Sequence, residues 1–403
     1  MRAYLIRTSR AVEPFGDSPV DCLIANRRLA EHQEEALLDE GIDPVRVDDE
    51  SRADVDDERL ILDDDLYFTP ELLREFVRRS RLTRGPTVCS ISPGLSTTSA
   101  VVATQDVLVY PDRIEYGLRY LPAGTSGAEP MPVILQVDQF VETVRFPAHM
   151  IPGGESKVPL TDTVLIQIGH WTNLWAANMA YLLAAGARLK KAPAARLLSL
   201  ALRARSTNQW RVLRQTNRIG TRCDIHPTAY IEGSEIGNNV KIGAGAIIRH
   251  STVGTGSYVA NNATVELAVV GPGSTIFNGC VVQYSALYPG SCISCRYVGL
   301  NLAGRNSFIS DGVTVSDFRF DGHCVQVMKN GVRVDSGARL LGTCVGHDAY
   351  LGAGCVLSPG RAVPNGWRIV PERERVLEAF RPDGRIAGYR VVMKDDAPVW
   401  GGG

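Results

Sequence analysis

The sequence predicts two domains, an α/β domain followed by a parallel β-helix. Three observations lead there. From Ile236 onward, apolar residues recur at every sixth position. Ahead of that stretch, short apolar runs alternate with segments of helical spacing. Between the two lies a stretch, residues 188–222, that carries ten basic residues and no acidic one.

The repeat is the strongest signal. Ile236, Ile242 and Ile248 form one set, and Val253, Val259 and Val265 the next. Val270, Ile276 and Val282 follow, then Leu287 and Ile293, and the first members lie seventeen residues apart. Such a period matches neither the 3.6 of a helix nor the 2 of a lone strand. It matches coils of three short faces, each pointing one aliphatic side chain inward, with Gly237, Gly243, Gly254, Ala260 and Gly271 easing the corners. No coil can bury its face alone, so stacked neighbours supply the core. The period lapses from about Val298 to Ser336 and resumes at Val345, Leu351, Leu357, Val363 and Ile369.

The bulk composition sets bounds. At 403 residues the chain has room for two or three domains, and a formal charge of −1 implies no polyelectrolyte partner, nucleic acid included, for the whole chain. No stretch approaches about 18 uninterrupted apolar residues, and Met1-Arg2-Ala3 opens no signal peptide, so a cytoplasmic protein is expected. The nine cysteines are odd in number and scattered, which suits buried reduced thiols. Cys292-Ile293-Ser294-Cys295 is a CxxC, but Ile293 belongs to the inward ladder. The pair therefore lies on a strand, away from the helix N-terminus that redox chemistry needs.

Taken in order, residues 3–6 read as a first strand, followed by a loop over residues 7–18 that holds Arg7 and Arg10. Residues 31–38 have helical spacing and Gly41 stops them. Residues 60–65 run Leu-Ile-Leu-Asp-Asp-Asp, a strand with carboxylates at its C-terminal edge, where open α/β sheets place ligands. A helix then starts at Pro70, capped by Thr69. Residues 87–150 alternate like strands without a motif. A helix starts near Trp171. In the basic stretch Leu197, Leu198, Ala201 and Leu202 give one apolar face at helical spacing. A solvated linker face is expected there, with contact to an anionic membrane as the alternative. Beyond Pro371 come a short charged helix and a hairpin around Asp383-Gly384.

Several of these segments carry a resemblance. Residues 24–42 look like the strand, Asn-Arg-Pro turn and helix of sugar-1-phosphate nucleotidyltransferases, with Arg28 in place of proline. Trp171, Leu174 and Asn178 keep the spacing of that family's Pro-Trp-Asp-Leu-Leu-x-x-Asn segment, while His170 and Thr172 replace its proline and aspartate. Tyr297-Val298-Gly299 and residues 318–322 resemble its acetyltransferase stretch, Tyr-Leu-Gly-Asp and Asn-Tyr-Asp-Gly. From Ile6 to Ile369 the chain is thus similar to the bifunctional sugar-1-phosphate nucleotidyltransferase/acetyltransferases that make nucleotide-activated N-acetylglucosamine. That resemblance implies a nucleotidyltransferase-like, Rossmann-like domain over 1–185 and a basic linker helix over 186–218. It also implies a left-handed β-helix over 219–370, interrupted near 299–336, with a tail from 371 to 403. A homotrimer, Mg2+ held by Asp64 or Asp65, and coenzyme A are implied as well.

Both family centres are altered here. The loop after Ile6 lacks the glycine cluster and lysine that cradle nucleotide phosphates. The histidine expected three residues before Tyr297 is Ser294, and a serine hydroxyl is no base near neutral pH. What remains is a polar cluster at the interruption. Asp317, Asp321 and His323 are the expected catalytic groups, with His323 as base. Arg319, Arg296, Arg305, Asn301, Lys329 and Tyr297 are the expected contacts to an anionic small molecule. A strand over residues 317–323 would put Asp317, Arg319, Asp321 and His323 on one face. His250 and His347 fall at coil corners and are expected on the surface. Three functions follow: a diverged transferase with altered chemistry in the β-helix, a non-catalytic trimeric binding or scaffold protein, or a nucleotidyltransferase that uses Arg7 and Arg10 in place of the glycine loop.

Overall fold

The computed structural model describes residues 1–125, 128–145, 147 and 154–372, together with two short strands at Met393–Lys394 and Ala397–Pro398. The charged helix and the hairpin expected beyond Pro371 lie outside the described residues. The chain forms an α/β domain and a left-handed parallel β-helix, as the sequence predicts.

The first domain is built on a mixed sheet. Its main strands are β1 (Arg2–Ile6), β2 (Asp43–Val47), β3 (Arg59–Asp63), β4 (Thr87–Ile91), β5 (Ile114–Leu121) and β6 (Met131–Leu135), and a short seventh, Leu108–Val109, pairs with β5. The main strands lie in the order β6-β4-β5-β3-β1-β2, with β5 antiparallel to both of its neighbours. Alternation along β1 sorts its side chains. Ala3 and Leu5 enter the main core with α1 (Leu29–Asp39) and α2 (Pro70–Thr83), while Tyr4 joins a small cluster on the other face. Helix α2 begins at Pro70 as expected, but Thr69 does not cap it. Its hydroxyl accepts the backbone N–H of Val164 at 3.0 Å and ties the helix start to a neighbouring strand. A short helix α3 (Leu95–Ser99) and the hairpin β7 (Phe140–Arg145) and β8 (Glu155–Leu160) flank the sheet.

The expected single linker helix is a longer and broken element. Helix α4 (Trp171–Lys190) is largely buried and packs into a core that both domains contribute to. Only α5 (Ala194–Ala204) and α6 (Gln209–Leu213) form the bridge to the β-helix.

In the β-helix each face is a ladder of two- or three-residue strands paired in parallel register. On the first face Ile236, Val253, Val270 and Leu287 stack in the core, followed by Ala303, Val345 and Val363. The period does not lapse where expected. Leu302–Ala303, Phe308–Ile309 and Thr314–Val315 complete a regular coil. Those strands pair directly with Cys344–Val345, Tyr350–Leu351 and Val356–Leu357. Only the segment between Val315 and Cys344 leaves the coil, and it carries a hairpin, Gln326–Lys329 with Val332–Asp335. The sixfold count fails earlier because the steps Ile293 to Val298 and Val298 to Ala303 are one residue short.

The corner glycines work by close approach. An added Cβ on Gly271 would lie 2.3 Å from the carbonyl carbon of Tyr288, and one on Gly254 would lie 2.4 Å from the nitrogen of Pro272. Both atoms are backbone of the next coil, and neither glycine has a positive φ. Gly271→Ala must therefore push two coils apart. The expected loss is about 1–3 kcal/mol, the usual cost of overpacking, read as a lower urea midpoint at unchanged slope.

Candidate active site

The two domains share one core. On the first face of the β-helix the outward row is polar at Glu235 and Thr252, then apolar at Val269, Ala286, Leu302 and Cys344, and those four are buried. They pack with Leu174, Trp175 and Met179 of α4 and with Val12, Phe15, Cys22 and Ile24 of the loop after β1.

That loop is the one expected to meet nucleotide phosphates, and it clasps the β-helix instead. The Phe15 ring stacks on His347 at 4.3 Å and on Tyr288 at 5.3 Å. Asp17 accepts from Arg305 Nη2 at 2.6 and 2.8 Å, and its Oδ2 lies 3.1 Å from His347 Nε2. Leu23 N–H donates to the Tyr288 hydroxyl at 2.7 Å, and Asn26 Nδ2 donates to the Val270 carbonyl at 2.9 Å. Arg305 is thus a docking residue and not a free substrate contact. His347, expected at the surface, is buried in the clasp. His250 does lie at a corner, in a left-handed conformation, with Nε2 3.4 Å from buried Glu232.

The remaining part of the loop covers the carboxylates at the end of β3. Thr8 donates through its N–H and hydroxyl to Asp64 Oδ1, at 2.9 and 2.7 Å. Arg10 donates to Asp65 Oδ2 at 2.7 Å, and Asp65 Oδ1 is buried without a partner. Burial raises the Asp65 pKa to about 7. Arg10 opposes that shift, and Asp63 and Asp64 add to it. The orphaned oxygen is a donor a divalent ion could use. A guanidinium already occupies the carboxylate's other side, however, and Asp64 is committed to Thr8. Among the described residues no three His, Cys, Asp or Glu side chains converge as a metal would require. The set does not fit magnesium. Arg7 is exposed, 3.7 Å from Asp48, and points to no site.

The interruption folds back onto the first domain. Lys329 Nζ donates to Asp106 at 2.5 Å, and His170 Nε2 lies 3.0 Å from the Met328 carbonyl. Lys329 is therefore another domain tie. Burial lowers the His170 pKa to about 4, so the ring is neutral at pH 7. Asn301 is fully buried and bridges the gap left by the insertion. Its Oδ1 accepts from Thr343 N–H and hydroxyl at 2.5 and 2.9 Å, and its Nδ2 donates to the Gly299 carbonyl at 2.9 Å. Fully buried, it is out of reach of a substrate.

Between the domains lies a cavity of about 930 Å³. Its walls come from α3, β8, α4, the corner residues Tyr284 and Leu300, and both ends of the insertion. Leu95, Val158, Trp175, Met179, Leu183 and Phe318 make most of it apolar. Asp317 and Tyr297 face this space. Burial raises the Asp317 pKa, and burial with the Asp317 charge moves the Tyr297 hydroxyl up to about 12.

The other three members of the expected quartet are elsewhere. Residues 317–323 form no strand, only a single bridge from Phe318 to Leu340, so their side chains do not share a face. Arg319 is spent on a two-pronged pair with Asp321, and Asp321 also accepts the His323 N–H at 3.2 Å. His323 and Arg296 are exposed and outside the cavity wall. Sequence reasoning missed the cavity's two cations, Lys157 and Arg339, which sit in stretches without a readable motif. The CxxC is structural, since burial pushes the Cys295 thiol up to about 12.

No family model and no curated protein matches the chain. Among solved structures, a Bacillus cereus protein described as a candidate acetyltransferase is similar to part of it. It is 16% identical over 38% of this chain and 77% of that chain, with a TM-score of 0.18. A likeness that low assigns no chemistry.

The clasp has a pH signature. Burial alone would raise the Asp17 pKa, but hydrogen bonds from His347 and Arg305 hold it below the ordinary carboxylate range. Its contribution is therefore present above the unfolded value of about 3.9 and lost as pH falls through the lower folded value. Asp17→Asn should cost about 1.5–3 kcal/mol at pH 7, the worth of charged hydrogen bonds. Melting temperatures of variant and wild type should converge as pH falls below the ordinary carboxylate range.

Proposed function

We propose that the protein is a transferase of the hexapeptide acyltransferase type, acting on a substrate whose apolar portion sits in the interdomain cavity. Asp317 carries this reading. It is a half-buried carboxylate of raised pKa in a mostly apolar wall, placed where the β-helix is interrupted. A carboxylate raised toward neutrality is a better base than an exposed one. In acyl transfer Asp317 takes the proton of an acceptor hydroxyl or amine as that atom bonds to the acyl carbonyl carbon. The bond from that carbon to the leaving group then breaks, and the leaving atom takes the proton back. Tyr297, which lines the same wall, would orient the carboxylate.

Lys157 and Arg339 line the cavity together with Glu155 and Asp317, and their positive charge would suit an anionic head group on a substrate with an apolar body. Two cations are few for the phosphates of coenzyme A, and the cavity suits an acyl chain better than that donor's nucleotide. Nucleotidyl transfer has less support, because the loop after β1 is committed to the clasp and to Asp64 and Asp65. The homotrimer implied by the resemblance would form on the second face of the β-helix. Its outward row includes Tyr258, Phe308 and Tyr350, whereas the first face is covered by the N-terminal domain.

A thermal-shift panel of acyl donors of increasing chain length, nucleotide sugars and nucleoside triphosphates tests the reading, since stabilisation follows the logarithm of ligand concentration over Kd. Long-chain donors should raise the melting temperature more than acetyl donors, and Met179→Trp, which fills the cavity, should remove the shift. With the donor so identified, Asp317→Asn should lower turnover by about 10²–10⁴-fold while the shift persists. The acid limb of the rate profile should lie above the ordinary aspartate value of about 4. His323→Ala should match wild type. A protein that responds to no member of the panel, with Asp317→Asn silent in every transfer assay, would be the scaffold of the second reading.

A further inference from the structure

We propose that α5 docks the protein onto an anionic lipid bilayer. The helix lies within the stretch 188–222, which has ten basic and no acidic residues in a chain of net charge −1. It packs inward through Leu200, which is buried, and turns Leu198 and Leu202 outward at 61% and 68% exposure. Leu198 and Leu202 are one helical turn apart and share a face. At about 100° per residue, Arg196 and Arg203 fall on the far side of the helix from that stripe. Trp210, at the start of α6, is also partly exposed.

The charges are mostly unspent. Of the ten, Arg188, Lys190, Lys191 and Arg218 form ion pairs with carboxylates. Arg196, Arg203, Arg205 and Arg211 have no carboxylate partner among the described residues, and all four are exposed.

The combination selects the partner. A solvated linker would satisfy the arginines and leave the leucines in water. A nucleic acid would take the cations and still leave the leucines uncovered. A second copy of this chain, meeting face to face through this helix, would bring together two stretches that carry only positive charge, and they would repel. A bilayer with anionic headgroups accommodates both, with leucines at the acyl boundary and arginines among the headgroups. Among the described residues no helix is long and apolar enough to cross a membrane. The contact is therefore peripheral, and with only 11 residues in the helix it depends on charge.

The test is co-sedimentation of the full-length protein with phosphatidylcholine vesicles, with and without phosphatidylglycerol. Partitioning should favour the anionic vesicles by about tenfold or more and should fall as salt shortens the screening length below about 8 Å. Leu198→Glu with Leu202→Glu should abolish it, and Arg196→Gln with Arg203→Gln should weaken it several-fold. Neither pair should change the melting temperature. No partitioning, equal partitioning into both vesicle types, or binding that survives the leucine pair would overturn the proposal. So would a leucine pair that lowers the mass of the free protein in light scattering, which would give the face to a second copy. If the leucine pair fails to fold, the arginine pair and the salt dependence decide alone.

Discussion

The structure depends on one apolar row that faces away from its own core. In a β-helix the inward residues are obligatory, because each coil must bury its aliphatics against its neighbours. The outward residues are free to be polar, and at Glu235 and Thr252 they are. From Val269 through Ala286 and Leu302 to Cys344 they turn apolar, and that row is where the α/β domain sits. Burying a valine or leucine side chain is worth about 1.5–3 kcal/mol. Val269 and Leu302, with the smaller Ala286 and Cys344, thus contribute several kcal/mol to holding the two domains together. Polar ties then fix the register: Asp17 with Arg305 and His347, Trp175 Nε1 with the Tyr284 carbonyl, and Lys329 with Asp106.

That commitment explains why the loop after β1 is no phosphate cradle. A phosphate cradle needs backbone N–H groups free to face a ligand, and glycines to bring the backbone close. In this loop Thr8 N–H is given to Asp64, Arg10 to Asp65, and Phe15 and Asp17 to the β-helix. A loop with those duties cannot also open around a nucleotide.

Much of this was legible before any coordinates. The sixfold period gave the coils, the central inward ladder and the domain order, because that pattern depends only on which residues a coil must bury. The clasp was not legible. Phe15, Asp17, Tyr288, Arg305 and His347 are far apart in the chain, and no local pattern distinguishes a corner histidine in water from one stacked on a phenylalanine. The outward row could have been read: Val269-Val270, Ala286-Leu287 and Leu302-Ala303 are doublets in which both residues are apolar, where earlier coils pair a polar residue with an aliphatic one. The candidate site was half legible. Asp317 and Tyr297 fall in the cavity, whereas His323, Arg319 and Asp321 miss it because the segment turns where a straight strand would have kept them together.

The cavity inherits its rigidity from the same interface. Its walls include Trp175 and Met179 from α4, Tyr284 and Leu300 from one corner of the β-helix, and Ala338 from the insertion, and all five also belong to or pack against the shared core. The corner residues Leu267, Tyr284 and Leu300 hold left-handed backbone conformations, at φ of 46°, 48° and 59°. Bulky side chains adopt these only where surrounding packing compensates. Here α4 presses on that corner, and Trp175 Nε1 donates to the Tyr284 carbonyl at 2.7 Å. A space bounded by a packed helix, a strained corner and a tethered insertion keeps its shape without a ligand. Binding there would cost little ordering, so specificity should come from what fits around Asp317 more than from closure of the domains.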